Sequence, residues 1–217
     1  MKLYLSSFDI GNFPERLMEL FSTSNPQIGI VMNALDNLPD ARNKWLLNNK
    51  SNLGKLGFRV DELDLRNFFL HKMTPNDLSR FDGLWVNGGN SFILQRAFHE
   101  SGLNQVLPKM VIEEKIVYSG FSAALCVVSA SLHGFELVDD PINIPEGYNQ
   151  EFTWDGLSFL EKPIAVHYKS DHSESEAIDK EIEYCKKNSI QYDVLRDGEV
   201  YFENGLTKEF LRLNYVQ

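Results

Sequence analysis

Residues 27–32 form a short run, Gln27-Ile28-Gly29-Ile30-Val31-Met32, in which five consecutive residues offer no polar side chain to water. A strand of that kind is buried on both faces, and such strands belong to parallel sheets covered by helices. This one segment therefore asks for helices on either side of it. The flanking sequence supplies them. Residues 14–21 place Leu17, Leu20 and Phe21 at helical spacing, and Pro14 takes the first-turn position where a missing N–H costs nothing. Residues 40–56 read as a long helix that stops at Gly57. With an apolar strand at residues 3–5, the chain opens β-α-β-α.

The alternation continues. Strands are predicted at residues 58–63, 83–86 and 116–118, a short helix after Thr74-Pro75, helices at 91–99 and 102–114, and another beginning near Ser122. Residues 139–163 hold three of the eight prolines and read as a long excursion of the kind that builds sites. The sheet is expected to resume at 164–166, followed by an acidic helix at 173–187. Two final strands, 192–195 and 199–202, are expected around the turn Arg196-Asp197-Gly198. The fold class is α/β, with a mostly parallel sheet flanked by helices. At about 150 residues per domain, 217 residues make one domain spanning 1–217.

Composition narrows the partners. The chain carries 31 acidic against 21 basic residues, a net charge of −10, and shows no basic stripe, so nucleic acid and anionic membranes are excluded as partners. A small molecule is the expected partner. No run approaches the ~18 apolar residues of a membrane span, and no signal peptide is apparent. The two cysteines, Cys126 and Cys185, are then expected as reduced thiols in a cytoplasmic protein.

Ligands of a parallel α/β sheet bind at the carboxyl ends of its strands, so chemistry is sought just after each one. Tyr118-Ser119-Gly120-Phe121-Ser122-Ala123-Ala124 runs from an apolar strand through a Gly-x-Ser-x-small turn into a helix, the context that lifts a nucleophilic serine above a sheet. A helix-capping serine is the plainer alternative. Asn87-Gly88-Gly89-Asn90 follows the preceding strand, where a glycine pair allows backbone amides to face an oxyanion; the plainer alternative is a tight turn with Asn90 or Ser91 capping the next helix. His167 follows the strand at 164–166 and is the candidate base. Asp197 is the first candidate for the acid that orients it, with Asp139, Asp140 and Glu199 behind it. His172 lies five residues beyond His167, which is no metal-ligand spacing on a helix, so neither a metal nor another cofactor is expected. Cys126, four residues past the serine, reads as a buried structural thiol.

Gly88-Gly89-Asn90-Ser91-Phe92, then Gly120-x-Ser122-Ala123, His167 after a strand and Asp197-Gly198, taken in that order, resemble the S51 serine peptidases, the family of aspartyl dipeptidase (peptidase E) and cyanophycinase. The resemblance implies a three-layer, flavodoxin-like sandwich similar to class I glutamine amidotransferases. It implies a Ser122-His167-Asp197 triad, with Gly89 and Ala123 giving oxyanion-hole amides, and hydrolysis of short peptides; separately, a monomer or homodimer is expected. Two other readings stay open: an esterase or amidase of α/β-hydrolase type, whose triad order would enlist Asp139 or Asp140, and a catalytically silent binding protein. The chain departs from the family in writing Ser122-Ala123-Ala124-Leu125 where a glycine usually stands two past the serine. It also has no arginine between Arg96 and Arg196. Residues 171–183 carry six carboxylates against the single Lys180. A neutral or broad substrate preference is expected rather than an aspartyl one.

Overall fold

A computed structural model describes residues 1–213 of the chain. Its main sheet has seven strands in the order β3-β2-β4-β5-β1-β8-β9. In chain order the strands are β1 (Lys2–Ser6), β2 (Gln27–Val31), β3 (Arg59–Glu62), β4 (Gly83–Val86) and β5 (Val117–Phe121), which pair in parallel, then β6 (Ile164–Ala165), β7 (Asp193–Val194), β8 (Val200–Asn204) and β9 (Thr207–Leu211). The α-helices are α1 (Pro14–Met18), α2 (Pro39–Lys55), α3 (Pro75–Leu78), α4 (Ser91–Ser101), α5 (Leu103–Ile112), α6 (Ala123–Cys126) and α7 (Ser175–Lys187).

The apolar strands are explained by a core on each face. Leu3 and Leu5 of β1 join one buried cluster with residues of α4, α5 and α6, whereas Tyr4 between them joins a second with Leu17 and Leu53 of α1 and α2. In β2, Ile28 and Ile30 face the second cluster and Val31 the first. Successive side chains leave a strand on opposite sides, so a strand between two helical layers must be apolar throughout. The result is the expected α/β three-layer arrangement.

The end of the chain differs from the expected hairpin. No hairpin forms around Arg196-Asp197-Gly198. β7 pairs in parallel with β6 in a separate two-stranded sheet, so residues 164–166 do not rejoin the main sheet. β8 lies antiparallel to β1, and the hairpin of this region joins β8 to β9, a strand that sequence patterning missed, across Gly205. With β7 and β8 in different sheets, residues 196–199 still form a tight turn, the Glu199 N–H donating to the Arg196 carbonyl at 2.9 Å, and Asp197 lies in that turn without a hairpin around it. α1 and α6 are also shorter than the predicted helices. No helix among the described residues is long and apolar enough to cross a membrane. Cys126 and Cys185 are both buried and free.

Candidate active site

The carboxyl ends of β1, β4 and β5 meet at one edge of the main sheet, joined by the loop that follows β6. Ser122 leaves β5 with φ 51° and ψ −110°, a left-handed and unfavourable setting for a serine that marks a sharp strand-to-helix turn. Two contacts brace the turn: the Ser122 N–H donates to the Ser6 carbonyl at 3.3 Å, and its own carbonyl accepts from Leu125 at 2.8 Å. Gly120, two residues earlier, is required by packing, since a Cβ there would run into the Val86 carbonyl oxygen of the neighbouring strand. Ala124, standing where the family usually has glycine, sits in the helix and is fully buried.

The loop after β4 closes over this turn. A Cβ on Gly88 would lie 2.7 Å from the Phe121 ring and 3.0 Å from Ser122 Cβ, and Gly89 adopts φ +134° against the Ala34 carbonyl. Its shape is held from below by a buried amide relay. Asn49 of α2 donates to Asn87 Oδ1 at 2.7 Å, Trp85 Nε1 donates to Asn49 Oδ1 at 3.3 Å, and Asn87 donates to the Gly88 carbonyl at 2.6 Å. Asn90 caps α4, its side chain accepting from Phe92 and Ile93 N–H. Ala123 opens α6, so its amide has no acceptor within the helix.

His167 is buried and, like Ser122, held at positive φ, 54°. Its Nε2 lies 3.2 Å from Ser122 Oγ and its Nδ1 2.7 Å from Asp197 Oδ1. With the imidazole proton donated from Nδ1 to Asp197, Nε2 keeps a lone pair toward the serine hydroxyl. Ser7, just past β1, organises both partners: its Oγ accepts from the His167 N–H at 2.8 Å and donates to Asp197 Oδ1 at 3.0 Å. The Asp197 N–H in turn donates to Ser170 Oγ at 2.8 Å. Burial pushes the Asp197 carboxyl up, but the His167 hydrogen bond and charge, together with Ser7, outweigh it and hold the group below its ordinary value.

The other candidate acids are placed elsewhere. Asp139 accepts from Ser91 N–H at 2.8 Å and Ser91 Oγ at 2.6 Å, and burial, offset by those bonds, pushes it up to about 6. Asp140 accepts from Ile142 N–H. Glu199 accepts from Arg196 N–H and pairs with Arg212 at 3.6 Å. Burial raises the Cys126 thiol well above its ordinary value, so this group is no thiolate at neutral pH.

Several residues of the site carried no signal in the sequence. The rings of His172 and His167 stack at 3.7 Å and 5°, and Glu174 Oε2 reaches within 3.8 Å of His167 Nε2. These three offer ligand atoms within 4.8 Å of one another, close enough by distance alone to share a divalent ion. The helical-spacing test missed it because residues 167–174 precede α7 as a compact loop. The rings lie nearly parallel, so their in-plane lone pairs do not converge and one ring would have to turn to share an ion. Burial and the neighbouring His167 charge both lower the His172 imidazole. Phe8 and Trp45 complete the surroundings; their rings are 5.7 Å apart, and the Phe8 ring packs on His167 at 5.9 Å.

An α/β protein with a serine, a histidine and a carboxylate in hydrogen-bonding sequence at the strand ends has the layout of a hydrolase site. The model of peptidase family S51 matches residues 15–205, and the chain belongs to that family. It is similar in structure to a Listeria monocytogenes EGD-e protein described as a "Putative Peptidase E Protein", with 19% identity, 98% of each chain covered and a TM-score of 0.76. A peptidase from an acI-B1 Actinobacterium is also similar, with 13% identity, 99% of this chain and 95% of that one covered, and a TM-score of 0.57. At these identities the likeness is one of fold. Comparison with curated proteins gives no significant sequence match.

Proposed function

We propose that the chain is a serine-type peptidase that hydrolyses short peptides with Ser122, His167 and Asp197. The reading is carried by the unbroken line from Ser122 Oγ to His167 Nε2 at 3.2 Å and from His167 Nδ1 to Asp197 Oδ1 at 2.7 Å. Ser122 Oγ attacks the scissile carbonyl carbon while its proton passes to His167 Nε2. Asp197 keeps the ring in the tautomer that leaves Nε2 free and balances the imidazolium that forms. The amides of Gly89 and Ala123 receive the developing oxyanion, each contributing about 3 kcal/mol when well aligned. His167 then gives the proton to the leaving amine as the C–N bond breaks. Water, deprotonated by the same Nε2, releases the acyl group and restores the serine.

The backbone at Ser122 fits this assignment, because its φ of 51° with ψ of −110° is the sharp strand-to-helix turn that lifts a nucleophile above a sheet. The α/β-hydrolase alternative has less support, since Asp139 and Asp140 bond to Ser91 and Ile142 rather than to His167. Turnover of a dipeptide panel tests the reading. Ser122→Ala and His167→Ala are each expected to lower kcat/KM by at least about 10⁴-fold, and the double variant by little more than either, as residues acting as one unit do. Wild-type turnover retained by Ser122→Ala would overturn it.

A further inference from the structure

The cleft over Ser122 has a volume of about 300 Å³, at the small end for ligand sites, which suits one or two amino-acid residues. One of its walls is apolar and largely aromatic. Trp45 and Phe121 are 5.5 Å apart, Phe8 packs edge-on against both, and Leu35 joins them. Among the described residues, no lysine or arginine lines the cleft and one carboxylate does, Glu174, whose side chain is 40% exposed.

Distances decide what Glu174 can reach. Its Oε2 is 3.8 Å from His167 Nε2, which is 3.2 Å from Ser122 Oγ, so it lies within 7.0 Å of the nucleophile (3.8 + 3.2). In an attack-ready complex the scissile carbonyl carbon sits about 3 Å from the serine oxygen. The α-nitrogen of the residue that owns this carbonyl is only about 2.5 Å from the carbon. If that residue is the first of a peptide, its nitrogen is an ammonium, and Glu174 is placed to hold it. If the residue is internal, the nitrogen is a neutral amide and the carboxylate gains no charge partner from it.

From these observations, and resting on the serine-peptidase reading above, we infer that the site takes peptides with a free N-terminus and an apolar first side chain: Glu174 anchors the α-ammonium and the wall of Phe8, Trp45 and Phe121 receives the side chain. An acidic first residue is disfavoured twice. It finds no cation in the cleft lining, and it brings a second carboxylate beside Glu174. His172 does not stand free to take a substrate carboxylate, since its ring is stacked on His167.

The test uses Phe-Ala, Leu-Ala and Asp-Ala with their N-acetyl counterparts. For the wild type, kcat/KM for Phe-Ala and Leu-Ala is expected to exceed that for Asp-Ala roughly 100-fold. N-acetylation is expected to cost a similar factor, and to cost Glu174→Gln fewer than about 5-fold. Trp45→Ala should remove most of the Phe-Ala advantage. Equal effects of Glu174→Gln on free and acetylated peptides would assign that carboxylate to His167 instead and overturn the anchor. A preference for Asp-Ala would overturn the apolar subsite. Calorimetric binding of the three free dipeptides to Ser122→Ala keeps this inference separate from the proposed chemistry. The same order of affinities without Ser122-dependent turnover would retain the subsite and reject the serine mechanism, whereas turnover that depends on Ser122 with Asp-Ala bound tightest would do the reverse.

Discussion

Asp197 and Asp139 both feel the charge of His167, and they are treated oppositely by their surroundings. Asp197 is half-buried, with His167 Nδ1 and the Ser7 hydroxyl on one oxygen, and is held below its ordinary value. Asp139, the first residue of the excursion, accepts both of its hydrogen bonds from Ser91 at the start of α4 and is pushed up by burial to about 6. Near it is Glu181 of α7, which burial and the Asp139 charge push up to about 8. The first region keeps its carboxylate ionised through direct partners, as a histidine-orienting acid requires. In the second, burial outweighs the available partners and raises both carboxyls, so that at neutral pH Glu181, at about 8, is mostly protonated while Asp139, at about 6, is mostly ionised. Under the proposed mechanism, what sets Asp197 apart from Asp139 is its direct contact with the histidine ring, and proximity alone does not decide the assignment.

Exchanging each carboxylate for its amide breaks this comparison most strongly. Asp197→Asn is expected to lower kcat by about 10⁴-fold, because the amide favours the wrong imidazole tautomer, whereas Asp139→Asn should cost less than about 10-fold. Steady-state rates on one dipeptide at pH 7.5 measure both.

The next effect concerns stability. Glu181 has a folded-state value of about 8 against 4.5 when free, so the folded chain retains a proton that the unfolded chain has lost between those values. Stability then falls as pH rises from about 4.5 to about 8, by up to about 1.4 kcal/mol per pH unit, and levels off above. Urea unfolding at pH 5 and pH 8 should show this decline as a loss of a few kcal/mol. Glu181→Gln should flatten most of it, leaving the smaller share contributed by Asp139 between 3.8 and about 6.

Ser7→Ala gives the smallest expected effect. It removes one donor to Asp197 and the acceptor for the His167 N–H, worth about 1 kcal/mol, and should lower kcat some 3- to 10-fold without abolishing turnover.

The sequence carried the parts of the fold and site that depend on local pattern. Buried parallel strands must be apolar on both faces, so β1, β2, β4 and β5 could be read from composition alone. Chemistry at strand ends then pointed to Ser122, His167 and Asp197, and the structure brings those three within hydrogen-bonding reach. Pairing between distant segments was not legible. Nothing in residues 192–195 says that β7 joins β6 while β8 joins β1, and β9 is too polar and exposed to show a buried strand's pattern. Ser7, Phe8, Trp45 and Glu174 were missed for the same reason: Ser7 and Phe8 come from the loop after β1, Trp45 from α2 and Glu174 from the loop before α7, and no spacing ties them to Ser122; His172 shares that last loop and was set aside because its spacing from His167 is not that of a helix. The acidic run before and within α7 reads as a solvated face, yet Glu181 within it is buried.

Intact-protein mass spectrometry after exposure to a fluorophosphonate tests the central claim most directly. A single adduct, mapped to Ser122, is expected to form readily on the wild type, far more slowly on His167→Ala and Asp197→Asn, and not at all on Ser122→Ala. Labelling of Ser122→Ala at the wild-type rate, or a wild type inert while folded, would contradict it.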